Sequence, residues 1–330
     1  MEQKKIEARE PSPNGSAYTE TDWPKPIGEL LEELDIPEKM IRGESILAQQ
    51  HQDRKAAAQQ KRDDTLQLAE NALKQLDEDL KKGKSDTLLQ FLSTMSSFHS
   101  YSFNNQLLIM TQAPDATRVA GFNAWKKLDR FVKKGEKGIR ILAPMIGKVK
   151  DVDESIELAA EGEPQKRVYG FRVVSVFDVS QTDGKPLPDI GQIKGEPGDH
   201  LPKLRELIVS KGISLEYEKL NGPEGVSKGG TIIIDTELDP ANEFSVLAHE
   251  LAHELLHRGD RRESTTKTQR ETEAEAVAFV VSQAFGVDTS ARSNDYIQLY
   301  RGDSDLLAES LELIRSTSAE IISGLQQLTE

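Results

Sequence analysis

Residues 246–257, VLAHELAHELLH, constrain this chain more than any other stretch. Three of the chain's six histidines stand here four apart, with a glutamate after each of the first two. In an α-helix, positions i and i+4 share a face, so His249 and His253 point the same way, about 6 Å apart along the axis. Two imidazoles so placed can share one zinc ion, and Glu250 then stands beside the water that such an ion activates. The pattern HExxH occurs twice, as HELAH (249–253) and HELLH (253–257). One metal cannot take all three histidines: His249 and His257 lie about 12 Å apart along a straight helix, and zinc needs each nitrogen at about 2 Å. The first copy follows an apolar run, Val246, Leu247 and Ala248, as a buried helix does. The second runs into Arg258, Gly259 and Asp260, which read as a helix stop. HELAH is therefore the expected metal site, and His257 is expected to be a cation near the negative helix end.

A third ligand is expected from ETEAE (271–275) on a following helix. Glu271 and Glu275 share a face and Glu273 points elsewhere. Glu271 is the expected zinc ligand, with Glu275 orienting a ligand histidine from behind. Composition narrows the chemistry further. The chain has no cysteine, which excludes disulfides, thiolate zinc sites and cysteine catalysis and suits the cytoplasm. The first residues have no apolar signal core, and no stretch approaches 18 apolar residues, so neither secretion nor a membrane partner is expected.

The net charge of −14 hides a local reversal. Residues 118–150 hold ten Lys or Arg and two Asp or Glu, a balance of 10 − 2 = +8. Phe122, Trp125 and Phe131 interleave there with Lys126, Lys127, Arg130, Lys133, Lys134, Lys137 and Arg140. Cations neutralise phosphates and aromatic faces stack on unpaired bases, so this stretch is a candidate surface for single-stranded DNA. The polar–aromatic run Tyr101, Phe103, Asn104, Asn105 and Gln106 joins it as a candidate. Trp125 reads equally well as a core residue, and the 101–106 run as capping and core.

The order of segments points to an α+β chain. Residues 1–62 read as a disordered or partly helical tail, with a short helix over 28–34. A folded domain over 63–185 opens with leucines at helical spacing and closes with the strand-like run 167–179, interrupted by an acidic loop over 150–165. A Gly/Pro/Asp-rich linker covers 186–199. Residues 200–330 form a second, mainly helical domain with a small β-sheet. Its strand over 230–238, just ahead of the histidine helix, is expected to offer an edge to an extended peptide.

Two resemblances follow from these residues. YSFNNQLLI (101–109), VAGFNAWKKLDRFVKKGEKGIRILAP (119–144) and VYGFRVVSVFDV (168–179) resemble the N-terminal single-stranded-DNA-binding domain of ArdC-type antirestriction proteins. HELAHELLH (249–257) and ETEAEAVAFVV (271–281) resemble a zincin domain of the ImmA/IrrE kind. The resemblance implies an antirestriction protein of a mobile genetic element that binds single-stranded DNA and carries a zinc metallo-endopeptidase-like domain. The ImmA/IrrE pattern often sets the key glutamate directly before an alanine. Glu273 and Glu275 both meet that condition, so all three glutamates stay open as the third ligand. Three functions are compatible with this pairing. One is a DNA-tethered peptidase that cuts a protein near single-stranded DNA, and another is a peptidase that removes a repressor. The last is a DNA-coating antirestriction factor with structural zinc. No residue can be assigned to stabilise an oxyanion; His200, Arg292, Tyr296 and Tyr300 are the candidates.

Overall fold

A computed structural model of the chain describes residues 38–148, 166–187, 195–287 and 304–328. By its contacts it divides into two compact units, residues 1–57 and 58–330. The short helix expected over 28–34, the acidic loop and most of the linker lie outside the described residues, as do Arg292, Tyr296 and Tyr300.

In the first unit the described residues are helical, and those from Ala48 to Ala57 are exposed. They belong to α1 (Glu38–Lys81), whose remainder opens the second unit. There Thr65, Ala69, Ala72, Leu76 and Leu80 are buried at three- and four-residue steps, the stripe of a core-facing helix. Gly83, at φ +74°, ends the run by donating its N–H to the Leu80 carbonyl. Next come α2 (Asp86–Ser97) and α3 (Phe103–Gln112). They meet through Phe91 and Phe103, packed edge to face with centroids 5.4 Å apart.

The first sheet has the order β1–β4–β3, all antiparallel: β1 (Val119–Gly121), β3 (Ile139–Lys148) and β4 (Lys166–Asp178). The helix α4 (Phe122–Lys127) follows β1 directly, and β2 (Arg130–Val132) pairs with β5 (Thr182–Gly184). Ile139, Ile141 and Val176 pack with Phe98 and Ile109 to close one face of the sheet. The outer edge of β3 is met by side-chain amides of α3. Asn105 accepts from the Leu142 N–H and donates to its carbonyl, both at 2.9 Å. Gln112 does the same for Arg140, at 3.0 and 2.9 Å. Each amide thus replaces one rung of a missing strand, a device that satisfies an edge without a neighbour.

The remainder builds around a second small sheet. After α5 (His200–Ser210) come β6 (Ser214–Glu218), β7 (Gly225–Ser227) and β8 (Thr231–Asp235), in the order β6–β8–β7. Ile232, Ile233 and Ile234 are buried because β8 is central, parallel to β6 and antiparallel to β7. The expectation that β8 itself offers a free edge is therefore corrected: both its edges are taken, and the outer strand beside the histidine helix is β7. That helix is α6 (Pro240–Leu256), followed by α7 (Asp260–Ser264), α8 (Lys267–Ala284) and α9 (Ser304–Gln327). Asp239 caps α6 by accepting from the N–H groups of Ala241 and Asn242, with Pro240 in the first turn. Ala248 and Ala252 on α6, with Ala274 and Ala278 on α8, are fully or almost fully buried where these two helices pack together. One hydrophobic cluster runs from Ala69 to Leu325 and draws on α1, α2, α3 and every later helix except α4 and α7. Each fully buried Leu or Ile in it contributes about 1.5–3 kcal/mol against exposure.

Candidate functional site

The α6–α8 contact brings three of the expected side chains together. His249 and His253 lie one turn apart on α6, with their Nε2 atoms separated by 3.1 Å. Oε2 of Glu271, in the first half of α8, is 3.6 Å from each of them. These residues offer one ligand atom apiece within a common 4.8 Å. Nitrogen and oxygen ligands about 2.0–2.1 Å from a tetrahedral zinc stand about 3.3 Å from one another. The triangle of 3.1, 3.6 and 3.6 Å therefore fits a metal ion of that size with a fourth position left open.

Of the three glutamates left open by sequence, Glu271 completes this donor set. Glu275 sits behind it, its Oε2 3.2 Å from His249 Nδ1. Glu273 is wholly buried and faces the other way, toward His257, Arg261, Gln269 and Ser310.

Electrostatics bind the set internally. Burial disfavours charge on His249, but Glu271 and Glu275, with Glu250 beyond them, outweigh it and push its pKa up to about 9. Hydrogen bonding to His249 and then His253 holds the Glu271 carboxyl far below the usual carboxylate range. Glu250 moves the opposite way: burial raises it, against the charges of His249 and His253. The backbone of Ser227 on β7 adds a smaller influence that also opposes the rise. Gly225 lets that strand come close, since a β-carbon there would stand 2.5 Å from Val246 Cγ1 and 3.0 Å from Glu250 Cγ. Glu250, the donor set and β7 line a cleft of about 250 Å³, whose wall also carries Arg262, Lys267 and Arg270.

The second HExxH copy is absorbed by structure. Glu254 is buried and accepts at 2.8 Å from the N–H groups of both Gly229 and Gly230, the left-handed turn between β7 and β8. His257 corrects an expectation. It caps the end of α6 but is buried rather than solvated, and burial lowers its pKa despite the opposing influence of Glu273. A charged imidazole at the helix end is thus disfavoured where one was expected. His200 is a ring partner of Phe285, with centroids 4.5 Å apart, and does not line the cleft.

The basic–aromatic stretch is divided. Phe122 and Phe131 are more than half exposed, and Asn104, Lys126, Lys127, Lys133, Lys134 and Lys137 are exposed. Arg140 is half-buried. Trp125 is only 2% exposed, and its indole N–H donates to the Phe177 carbonyl at 2.8 Å. It has no face to offer a base, which corrects its place on the DNA surface: α4 is only six residues long, and its one buried residue is the anchor that seats it on β4. Asn105 and Gln106 are likewise buried, the first on the edge of β3 and the second donating to the Phe98 carbonyl. Tyr101 and Phe103 are half-buried, and Tyr101 donates to the Val119 carbonyl. The guanidinium of Arg130 is occupied by Thr182 and the Lys185 carbonyl. Sequence reasoning missed a second exposed group, Met145, Ile146, Val168, Tyr169 and Phe171 at the far end of β3 and β4, beside exposed Arg167 and Arg172. The failure of apolar–polar alternation in VYGF (168–171) was the available signal.

Comparison with known proteins bears on both halves. Residues 55–177 match the family profile described as the N-terminal domain of anti-restriction factor ArdC. Residues 210–317 match that of the IrrE N-terminal-like domain of the M78 peptidases. An uncharacterized protein of Bacillus anthracis is 24% identical over 283 residues, 73% of this chain and 48% of that protein. The chain thus spans about half the length of that curated relative. The metal-free crystal structure of the antirestriction ArdC protein from the R388 plasmid is 19% identical. That alignment covers 79% of this chain and 97% of the other, with a TM-score of 0.47. The Mn(II)-bound structure of the same protein gives 17% identity and a TM-score of 0.43 over the same shares. Among the described residues no helix is long and apolar enough to cross a membrane. With an ArdC-type N-terminal domain joined to an IrrE-like, metallopeptidase-like domain, the chain has the ArdC-type architecture.

Proposed function

We propose that this chain is a single-stranded-DNA-binding antirestriction protein that hydrolyses a peptide bond in a DNA-associated protein, with zinc held by His249, His253 and Glu271. The convergence of two imidazoles and a carboxylate beside buried Glu250 carries this reading. A zinc ion held by His249, His253 and Glu271 would supply Lewis-acid activation of water and of the scissile carbonyl. Glu250 would take a proton from the attacking water on its carboxylate as the carbon–oxygen bond forms and give it to the amine nitrogen as the carbon–nitrogen bond breaks. Burial, by raising the pKa of Glu250, readies it for both transfers. A structural zinc has no use for this glutamate, which favours the enzyme over the DNA-coating alternative.

Among the described residues β7 has no strand partner on its outer side, which suits an extended substrate, and the cations Arg262, Lys267 and Arg270 suit acidic side chains in it. For DNA the supporting residues are the exposed ones. Phe122 and Phe131 with Lys126, Lys127, Lys133, Lys134 and Lys137 form one group, and Tyr169 and Phe171 with Arg167 and Arg172 another. The test incubates wild type and Glu250→Gln with cell lysate, with and without single-stranded DNA, and reads new protein termini. Termini made by the wild type alone, more abundant with DNA, are expected. Equal cleavage by both proteins overturns the peptidase.

A further inference from the structure

His257 and Glu273 take no part in that chemistry, yet they stand directly behind the donor set. We infer that they are positioning residues: Glu273 fixes the tautomer of His257, and His257 fixes that of His253, so that the Nε2 lone pair of His253 faces the metal position. The inference rests on the zinc reading above and on an unbroken chain of contacts.

Glu273 is wholly buried. It accepts from Arg261 Nη2 on both carboxylate oxygens at 2.9 Å, from Gln269 Nε2 at 3.1 Å and from Ser310 Oγ at 2.6 Å. A carboxylate paired with a guanidinium only accepts. The 2.9 Å contact between its Oε2 and His257 Nε2 therefore puts the hydrogen on His257 Nε2. A neutral imidazole with one nitrogen protonated carries a lone pair on the other. His257 Nδ1 faces His253 Nδ1 at 3.0 Å, so His253 supplies the hydrogen there and its Nε2 is left bare. His249 follows the same pattern by a shorter route: its Nδ1 faces Glu275 Oε2 at 3.2 Å, which would keep the hydrogen on Nδ1 when a metal ion takes the place of the one on Nε2. One histidine is thus oriented by a carboxylate directly and the other by a carboxylate acting through a second imidazole. Arg261 on α7 and Ser310 on α9 hold the far end, so the arrangement of one ligand depends on two elements that contribute none.

The test measures zinc affinity of the full chain by competition with a chromophoric chelator. His257→Leu is expected to weaken zinc binding about 10–100-fold, the usual cost of losing a partner behind a metal ligand. His257→Asn, whose side-chain oxygen still accepts from His253 Nδ1–H, is expected to recover most of that loss. Proton–nitrogen NMR correlation on zinc-loaded wild type is expected to place hydrogen on Nδ1 of His249 and His253 and on Nε2 of His257. A folded His257→Leu protein with wild-type zinc affinity overturns the inference, and so does a hydrogen on His257 Nδ1. Should His257→Leu not fold, the wild-type spectrum decides. Neither readout needs peptide cleavage, so a protein that binds zinc in this way and cuts nothing defeats the peptidase reading alone. A wild type that takes up no zinc defeats both.

Discussion

The candidate metal site and the basic–aromatic stretch were both visible as residue types in a pattern, yet the fold treats them differently. At the centre, His249, His253 and Glu271 converge within 4.8 Å, with Glu250 in the same cleft. In the stretch, neighbours part company: Phe122 is exposed and Trp125, three residues on, is buried. A shared ion demands fixed distances, so helical spacing alone restricts which side chains can serve. Contact with a flexible polyanion imposes no spacing, and an aromatic among lysines carries no mark of which way it faces.

The strongest attempt to break the contrast removes one carboxylate. Glu250→Gln should lower peptide cleavage by about 10²–10⁴-fold, the usual worth of a general acid–base group, while zinc content stays at the wild-type level. Equal loss of zinc and activity would make Glu250 a part of the scaffold. Next, Trp125→Ala should destabilise the protein by about 3–5 kcal/mol, as truncation of a buried tryptophan does, visible as a lower Tm before any DNA is added. A Trp125→Ala protein with unchanged Tm and weakened DNA binding would return that residue to the surface. Phe131→Ala should do the reverse. Tm should hold, and single-stranded-DNA affinity should fall by about 1–3 kcal/mol with the strong salt dependence of phosphate contact.

The smallest effect concerns pH. Burial opposes charge on Glu273, but His257, Ser310 and Arg261 outweigh it and hold its pKa near about 2, below its ordinary 4.5. A depressed carboxyl stabilises the fold above its unfolded value. That contribution should fade as pH falls from 4.5 towards about 2. His257, with its pKa lowered from 6.5, should begin to act in the same direction at higher pH. Thermal melts of wild type and Glu273→Gln between pH 5 and pH 2, expected to converge by about a few degrees in Tm as pH falls, measure it. Parallel curves for the two proteins would remove Glu273 from the account.

Legibility in the sequence followed the same division. The leucines at helical spacing that open the domain at residue 63 were plain because 3.6-residue spacing is itself the signal. The three-residue strand β7 was not, because GVS carries no alternation, and with it went the contacts of Gly225 and Ser227 with Glu250. His257 was misjudged because a helix end in sequence says nothing of what covers it. Its cover is Glu273, sixteen residues on, held by Ser310 a further thirty-seven away. Asn105 and Gln106 misled for a related reason, since an amide that serves a backbone and an amide that serves a base are the same residue.

The amides of Asn105 and Gln112 along β3 also bear on how copies of this chain meet. A bare strand edge invites a second copy to continue the sheet. Here two of its rungs, at Arg140 and Leu142, are already filled by helix side chains, so self-association by sheet extension is blocked at β3 without a proline or a bulge at those residues. Asn105→Ala, which empties one rung, is expected to add a concentration-dependent dimer to the sedimentation profile.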